Sequence, residues 1–153
     1  MSQPSSRDEI LSAPFKLEFT YTRSTGPAVG RFLTGLRDRA ILGVKGSDGK
    51  VIVPPTGYDP QTSEELDDYV EVGQAGEVTT WAWVHEPRAK HPLDHPFAWA
   101  LIRLDGADTP MLHAVDAGEE ANMHTGMRVR VQWADETVGR MQDIACFTPE
   151  ESA

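Results

Sequence analysis

Short β-prone runs separated by turn residues fill the second half of the chain, and this pattern constrains the fold most. The six runs are Tyr69–Val72, Glu77–His85, Phe97–Leu104, Met111–Asp116, Met127–Ala134 and Arg140–Phe147. Hydrophobic and polar residues alternate strictly from Met127 to Trp133, which is typical of a strand with one buried and one solvated face. We therefore predict a small all-β barrel over residues 69–147.

The first half predicts a helix and a hairpin. Apolar residues alternate with polar ones over residues 15–21, which predicts a short strand or an extended arm with one buried face. A one-sided apolar pattern predicts a helix near 27–39, with Thr25 or Ser24 as its N-cap. Residues 41–45 and 50–53 are β-prone and flank an Asp-Gly turn, which predicts a hairpin. We thus divide the chain into a flexible N-terminus (1–14), a strand, helix and hairpin region (15–68), the barrel (69–147) and a tail (148–153).

The charge of the chain bears on its partners. The sequence contains 14 Lys and Arg residues and 24 Asp and Glu residues, so its formal net charge is -10. Such a charge repels phosphate backbones and anionic lipids, so we expect neither nucleic acid nor a membrane as a partner. No apolar run approaches the roughly 20 residues that span a bilayer, and the first ten residues lack the apolar stretch of a secretory signal. We expect a cytoplasmic protein.

The order of motifs resembles one known family. Gly35-Leu36-Arg37-Asp38 ends the predicted helix, Gly49-Lys50-Val51-Ile52-Val53-Pro54-Pro55 forms the hairpin, and Val84-His85-Glu86-Pro87, Ala100-Leu101-Ile102-Arg103-Leu104-Asp105 and Gly126-Met127-Arg128-Val129-Arg130-Val131 follow in the barrel. Together these motifs are similar to the zinc-ribbon and OB-fold, acyl-CoA-associated family known as domain of unknown function 35. The resemblance covers roughly residues 27–147 and implies a mainly β fold, with a five-stranded OB barrel preceded by a helix and a ribbon hairpin.

The zinc site of that family does not carry over. Family members place two Cys-x-x-Cys pairs around the hairpin, and four thiolates close a tetrahedral zinc site. Gly46 and Gly49 stand about where the first pair would be, and Asp59 and Thr62 about where the second would be. The only cysteine, Cys146, lies in the last predicted strand and is expected to be a buried, inert thiol. We therefore predict a degenerate, zinc-free ribbon.

The resemblance also implies a function. Family members pair with thiolases or lipid-transfer-like aldolases that act on acyl-CoA thioesters, in the degradation of fatty acids or steroid side chains. It implies here a hetero-oligomer in which coenzyme A thioester is a shared ligand and no cofactor is bound by this chain alone. The contact residues that we predict for coenzyme A or the partner are His85, Pro87, Arg88, Lys90 and His91, in and beside the Pro-rich loop 86–96. Those that we predict for the partner interface are Phe32, Leu36, Val51 and Val53.

Two other functions remain open at this point. No nucleophile elbow, His-Glu-x-x-His motif or phosphate-binding Gly-rich loop occurs, so nothing names a catalytic residue. His85, His91 and His95 nevertheless offer imidazoles for a metal-dependent hydratase or hydrolase. An OB-fold can also bind single-stranded nucleic acid, although the net charge argues against it. The accessory-subunit function is the one we carry forward.

Overall fold

Two sheets and one helix make up the part of the chain that the computed structural model describes, residues 11–151. Two 3-10 turns, Glu120–Asn122 and Met141–Asp143, interrupt the loops of the barrel. The regular elements are α1 (Gly26–Arg37), β1 (Ile41–Lys45), β2 (Val51–Ile52), β3 (Tyr69–Val72), β4 (Ala75–Val84), β5 (Phe97–Leu104), β6 (Met111–Val115), β7 (Arg128–Trp133) and β8 (Ile144–Pro149).

The helix packs its apolar face on the smaller sheet. Ala28, Phe32 and Leu36 are buried, as the one-sided pattern predicts, and Pro27 lies in the first turn. Thr25 occupies the N-cap position without a side-chain bond to the helix, whereas the Ser24 hydroxyl accepts a hydrogen bond from the Gly26 amide at 3.2 Å. Thr25 is therefore the N-cap by position, and the Ser24 hydroxyl makes the side-chain hydrogen bond at this end.

The smaller sheet is an antiparallel ribbon with the strand order β2-β1-β3. Val44 pairs with Ile52 in the predicted hairpin, and Ile41 pairs with Val72 on the other side. The sequence placed Tyr69–Val72 at the start of the barrel, but β3 completes the ribbon instead, because its backbone pairs with β1. The barrel begins at β4.

The larger sheet is a closed barrel with the strand order β4-β5-β6-β8-β7. β4 pairs with both β5 and β7, with Gly76 opposite Val129 in the closing pair, and β6 runs parallel to β8. Phe97, Phe147 and Ile102 are among its fully buried side chains. This order confirms the OB-fold prediction.

The N-terminal segment differs from its prediction. Residues 11–25 form neither helix nor strand, and every one of them is exposed, so no face of the 15–21 segment is buried within this chain. The predicted flexible N-terminus lies outside the described residues except for 11–14, and the tail except for 148–151, of which two belong to β8. No helix within residues 11–151 has the length and apolar character needed to cross a membrane.

Candidate functional site

A cavity of about 390 Å³ opens on one side of the barrel. Most of its lining is apolar, and its polar members are one lysine, two histidines and one glutamine. The lining residues are Lys90, His91, Pro92, Trp99, Leu112, His113, Met141, Gln142 and Ile144. We call it the barrel pocket.

The position of the barrel pocket in the topology is informative. β5 and β6 are the second and third strands of the barrel, and residues 85–96 and 134–143 are the loops that follow its first and fourth strands. OB-folds bind ligands on the face of these two strands between these two loops. All the lining residues except Ile144, which is in the fifth strand, come from these four segments.

His91 holds the loop 85–96 against the barrel. Its Nδ1 accepts a hydrogen bond from the Arg88 amide at 3.1 Å, and its own amide donates to the Arg88 carbonyl at 2.9 Å. Its ring also stands edge-on to Phe97 and Trp99, with centroids 5.5 and 6.2 Å away. Edge-to-face packing of this kind fixes the ring over the strand. The loop therefore presents a defined wall to the pocket.

A second anchor of this loop is His95. Its Nδ1 lies 3.0 Å from Asp94 Oδ1 and its Nε2 lies 2.9 Å from Asp116 Oδ2. Both ring nitrogens face carboxylates, first Asp116 and then Asp94, and this raises the pKa of His95 above its usual 6.5. When protonated, the imidazole can donate to both carboxylates and so ties the end of the loop to the residue that follows β6.

Asp143 shapes the opposite wall. Its carboxylate accepts hydrogen bonds from the amides of Val138 (3.0 Å), Gly139 (2.6 Å) and Arg140 (3.1 Å). Burial alone would raise the pKa of Asp143, but these three amides hold it below its usual range. The turn so formed places Met141 beside the cavity.

His113 contributes a neutral ring to the pocket. It is buried, and burial lowers its pKa below the usual 6.5. Its Nδ1 accepts a hydrogen bond from the Ala114 amide at 2.9 Å. The imidazole is therefore uncharged near pH 7, and one of its nitrogens is already engaged.

The five residues predicted to contact coenzyme A or a partner do not all reach this cavity. Lys90 and His91 line it, and Arg88 supports His91 through its backbone. Pro87 is half-buried outside the lining. His85 is exposed and lies 3.8 Å from Glu120.

The four residues predicted for the partner interface lie inside the chain. Phe32, Leu36, Val51 and Val53 are all buried, with at most 9% of each exposed. Their side chains pack in the chain's own hydrophobic core, so they offer no surface to another subunit. The apolar pattern that suggested an interface reflects packing between the helix and the ribbon.

The histidines proposed as metal ligands do not converge. His85 lies near Glu120, His91 stacks on aromatic rings and His95 bridges two aspartates. Within residues 11–151, no group of three or more His, Cys, Asp or Glu side chains is arranged to hold a metal ion. The hydratase or hydrolase alternative depended on these three histidines binding one metal ion, and their positions do not support it.

A carboxylate joins the turns of the ribbon at Asp59, one of the positions that the resemblance matches to a zinc-binding cysteine. Asp59 is buried, and its two oxygens accept hydrogen bonds from both ribbon turns, from Ser47 in the first and from Gln61 and Thr62 in the second. Gly46 lies against it, with Asp59 Oδ2 3.2 Å from the position of a β-carbon. These residues do not fit a thiolate zinc site.

Cys146 lies on β8 and is buried. Burial raises the pKa of its thiol to about 11, with a smaller contribution from Asp116. A thiol of this kind is almost wholly protonated at neutral pH and is a poor nucleophile. Its position agrees with the inert thiol expected from the sequence.

Several pocket residues were missed by the sequence analysis. Leu112 is 57% exposed while His113, next to it, is 6% exposed, which inverts the usual preference of the two residue types. Met111–Asp116 was predicted only as a strand, with none of its residues assigned to a face. The useful signal was the barrel topology, which brings the second and third strands to the ligand-binding face.

Comparisons with known proteins agree with this architecture. The family described as "ChsH2, C-terminal OB-fold domain" matches residues 69–134. A crystal structure of a protein of unknown function from the DUF35 family of Sulfolobus solfataricus is similar, with 26% identity, a TM-score of 0.57 and coverage of 71% of this chain and 80% of that chain. No curated protein matches the sequence.

A second solved structure has the same fold over a larger part of the chain. It is described as the "Ltp2-ChsH2(DUF35) aldolase", with 17% identity and a TM-score of 0.62. The match covers 84% of this chain and 98% of that chain. The likeness therefore extends beyond the barrel strands, which span residues 75–149.

Proposed function

We propose that this chain, which belongs to the OB-fold DUF35 family, is the accessory subunit of an enzyme complex that acts on acyl-CoA thioesters. Its partner is a thiolase-superfamily enzyme, either a thiolase or a lipid-transfer-like aldolase. The partner supplies the catalytic residues. This chain binds part of the thioester at the barrel pocket and stabilises the partner.

The observation that carries this proposal is the composition of the barrel pocket. Its lining contains no Ser, Cys, Asp or Glu, so it holds neither a hydroxyl nor a thiol nucleophile and no carboxylate base. His113 is buried and His91 is held by Arg88 and the aromatic rings. This composition supports a pocket that binds the ligand while the partner carries out the chemistry.

The same lining suits a coenzyme A thioester. Trp99, Leu112 and Met141 form an apolar surface for the pantetheine arm or the acyl chain. Lys90 is exposed at the pocket, where its ammonium is available to a phosphate, and Arg88 lies nearby on the same loop. In a chain with a formal charge of -10, two cations on this loop form a local site of opposite sign.

The association with a partner is supported by the fold neighbour described as an Ltp2-ChsH2 aldolase, a name that joins two proteins. The likeness covers 98% of the matched chain in that structure. We extend the arrangement to this chain as part of the proposal.

Co-expression with each thiolase-superfamily protein encoded in the same genome tests the proposal. We expect one of them to co-elute with this chain, and we expect the complex to bind coenzyme A and to cleave or condense an acyl-CoA thioester faster than the partner alone. If none of them co-elutes with this chain and their turnover is unchanged by it, the proposal is wrong. Binding to a single-stranded oligonucleotide, weakening steeply with salt, would favour the nucleic-acid alternative instead.

A further inference from the structure

The residues that precede α1 form an arm with an unusual surface. We call residues 11–25 the N-terminal arm. Leu11, Phe15, Leu17, Phe19 and Tyr21 are 68–88% exposed, and they form the largest group of exposed large hydrophobic residues in the described chain. Scattered exposed apolar residues are ordinary, but a contiguous run of them marks an interaction site.

The apolar residues of the arm recur at every second position. Phe15, Leu17, Phe19 and Tyr21 alternate with Lys16, Glu18, Thr20 and Thr22. In a strand, this period places the first four on one face and the polar residues on the other. Phe, Tyr and Thr also favour strands. The arm thus has the pattern of a strand, and within residues 11–151 residues 11–23 make no backbone–backbone hydrogen bond.

The chain offers the arm little to pair with. The barrel is closed and has no free edge. The outer edge of β2 is occupied, because the Val51 amide donates to Asp108 and the Val53 amide donates to Thr109, at 2.8 Å each. Two arms paired only with each other would make a two-stranded ribbon, which is marginally stable in water. The outer edge of β3 is the other edge of the smaller sheet, and the arm makes no backbone hydrogen bond to it. We therefore match the arm to an existing sheet of another protein.

The charge of the arm fits a protein interface. Lys16, Glu18 and Arg23 are its only charged residues, so it carries +1 in a chain of -10. Few charges and several aromatic residues distinguish the buried centre of interfaces from the rest of a protein surface. A nucleic acid or an anionic membrane would require a larger excess of basic residues.

From these observations we infer that the N-terminal arm docks on the partner enzyme as an added strand, pairing residues 15–21 with a sheet edge of the partner and burying Phe15, Leu17, Phe19 and Tyr21 against it. The inference rests on the proposed function for the identity of the partner. It replaces the buried core residues first predicted for the interface with an exposed segment. It also provides a reason why the aromatic side chains of the arm are exposed in the chain alone.

The test compares two double variants of the arm, using the thiolase-superfamily proteins encoded in the same genome as binding partners. F15S/F19S removes two rings from the apolar face, and K16S/E18S removes the exposed Lys16–Glu18 ion pair of 2.9 Å from the other face without changing net charge. Isothermal titration of the partner with each variant gives the dissociation constant. We expect F15S/F19S to weaken binding by about 30-fold or more, as for the loss of interface hot spots, and K16S/E18S to change it by less than about threefold.

The outcomes separate the two proposals. If the unaltered chain binds the partner and F15S/F19S binds equally well, the arm inference is wrong while the accessory function stands. If the unaltered chain does not bind, both fail. Hydrogen exchange adds a readout of backbone pairing: amides 15–21 should exchange rapidly in the chain alone and slowly in the complex. Protection in the chain alone, or a dimer of this chain that F15S/F19S abolishes, would overturn the inference.

Discussion

Ser47 donates two hydrogen bonds to the same oxygen of Asp59, one from its backbone amide and one from its hydroxyl, each at 2.8 Å. The other oxygen of Asp59 accepts the amides of Gln61 at 2.7 Å and Thr62 at 3.1 Å. One carboxylate thus joins the two turns of the ribbon. This carboxylate is the central cross-link of the ribbon.

The first prediction concerns this cross-link. Asp59→Asn replaces one acceptor oxygen by an NH2 group, which must face an N–H donor and leaves it without a partner. We expect a lower midpoint of thermal unfolding and faster hydrogen exchange over residues 46–62. Asp68→Asn is the control, since it makes the same charge change on an exposed residue of the same region. Equal unfolding midpoints for the two variants would contradict the role of Asp59.

The same carboxylate makes the ribbon sensitive to acid. The Ser47 amide, followed by the Gln61 amide, lowers the pKa of Asp59 far below its usual 3.8. Because the folded pKa is the lower one, the stabilisation is present above the unfolded pKa of about 4 and is lost as the pH falls through the folded value. We expect the difference between the unaltered chain and Asp59→Asn, measured by urea unfolding, to be constant from pH 8 to about pH 5 and to shrink below pH 4. A difference that grows on acidification would refute this assignment.

The stabilisation that His95 gives to the loop should depend on pH in the opposite direction to that of Asp59. Its pKa is raised, so its contribution to holding the loop is full below the usual 6.5 and is lost as the pH rises through the folded value. We expect NMR titration to place the His95 midpoint above 6.5. Asp116→Asn should lower that midpoint more than Asp94→Asn, because Asp116 has the larger effect on the ring. The reverse order, or no change in either variant, would show that the carboxylates do not set the titration.

The barrel pocket predicts how ligand binding responds to single changes. Leu112→Glu puts a carboxylate at an exposed pocket position, and we expect about a tenfold or greater loss of affinity for a coenzyme A thioester with little change in stability, since burying an unpaired charge is costly. Lys90→Ala should weaken binding about two- to tenfold, the size of one exposed ionic contact. Lys45→Ala removes an equal charge outside the pocket and is the control. Calorimetric titration of the complex measures all three, and equal effects of the two lysine variants would exclude the pocket as the phosphate site.

Gly76 lies where β4 pairs with β7 to close the barrel, and the backbone around it leaves no room for a side chain. A β-carbon there would collide with the Arg103 carbonyl oxygen and come within 2.8 Å of the Leu104 α-carbon. We expect Gly76→Ala to destabilise the fold by about 1–3 kcal/mol or more, because backbone atoms cannot move aside as a side chain can. Gly57→Ala, where a β-carbon meets nothing within 4 Å, should be near neutral. Urea unfolding compares the two, and a Gly76→Ala protein as stable as the control would contradict the contact.

The sequence predicted those parts of the fold in which local pattern and tertiary contacts agree. Phe97–Leu104 was predicted with the bounds that β5 has, because a run of apolar and aromatic residues between turn signals has few alternatives. The helix was predicted to within two residues at its C-terminal end. Where pairing partners lie far apart, local pattern was insufficient. Tyr69–Val72 looks like any strand, and only the contact with β1 assigns it to the ribbon.

The site was harder to predict than the fold. Lys90 and His91 were found because loops rich in proline and charge attract attention, but Trp99, Leu112 and Met141 become neighbours only when the barrel closes. The interface prediction placed weight on apolar residues, and burial within the chain accounts for Phe32 and Leu36 without a partner. The alternation in residues 15–21 was recognised in the sequence. The exposure of these residues was not predicted, because it depends on whether the rest of the chain covers them.

The strand order of the barrel has a consequence for how the chain is made. β8 lies between β6 and β7, and β4 completes the ring by pairing with β7. The ribosome therefore releases β4, β5 and β6 before β7 and β8, the two strands that close the barrel. Contacts between segments that are distant in sequence also slow folding. A nascent chain that stops at residue 134 would present β6 and β7 as open edges, which are sites for aggregation. Synthesis of β8, the last barrel strand in the sequence, thus decides whether the barrel can close.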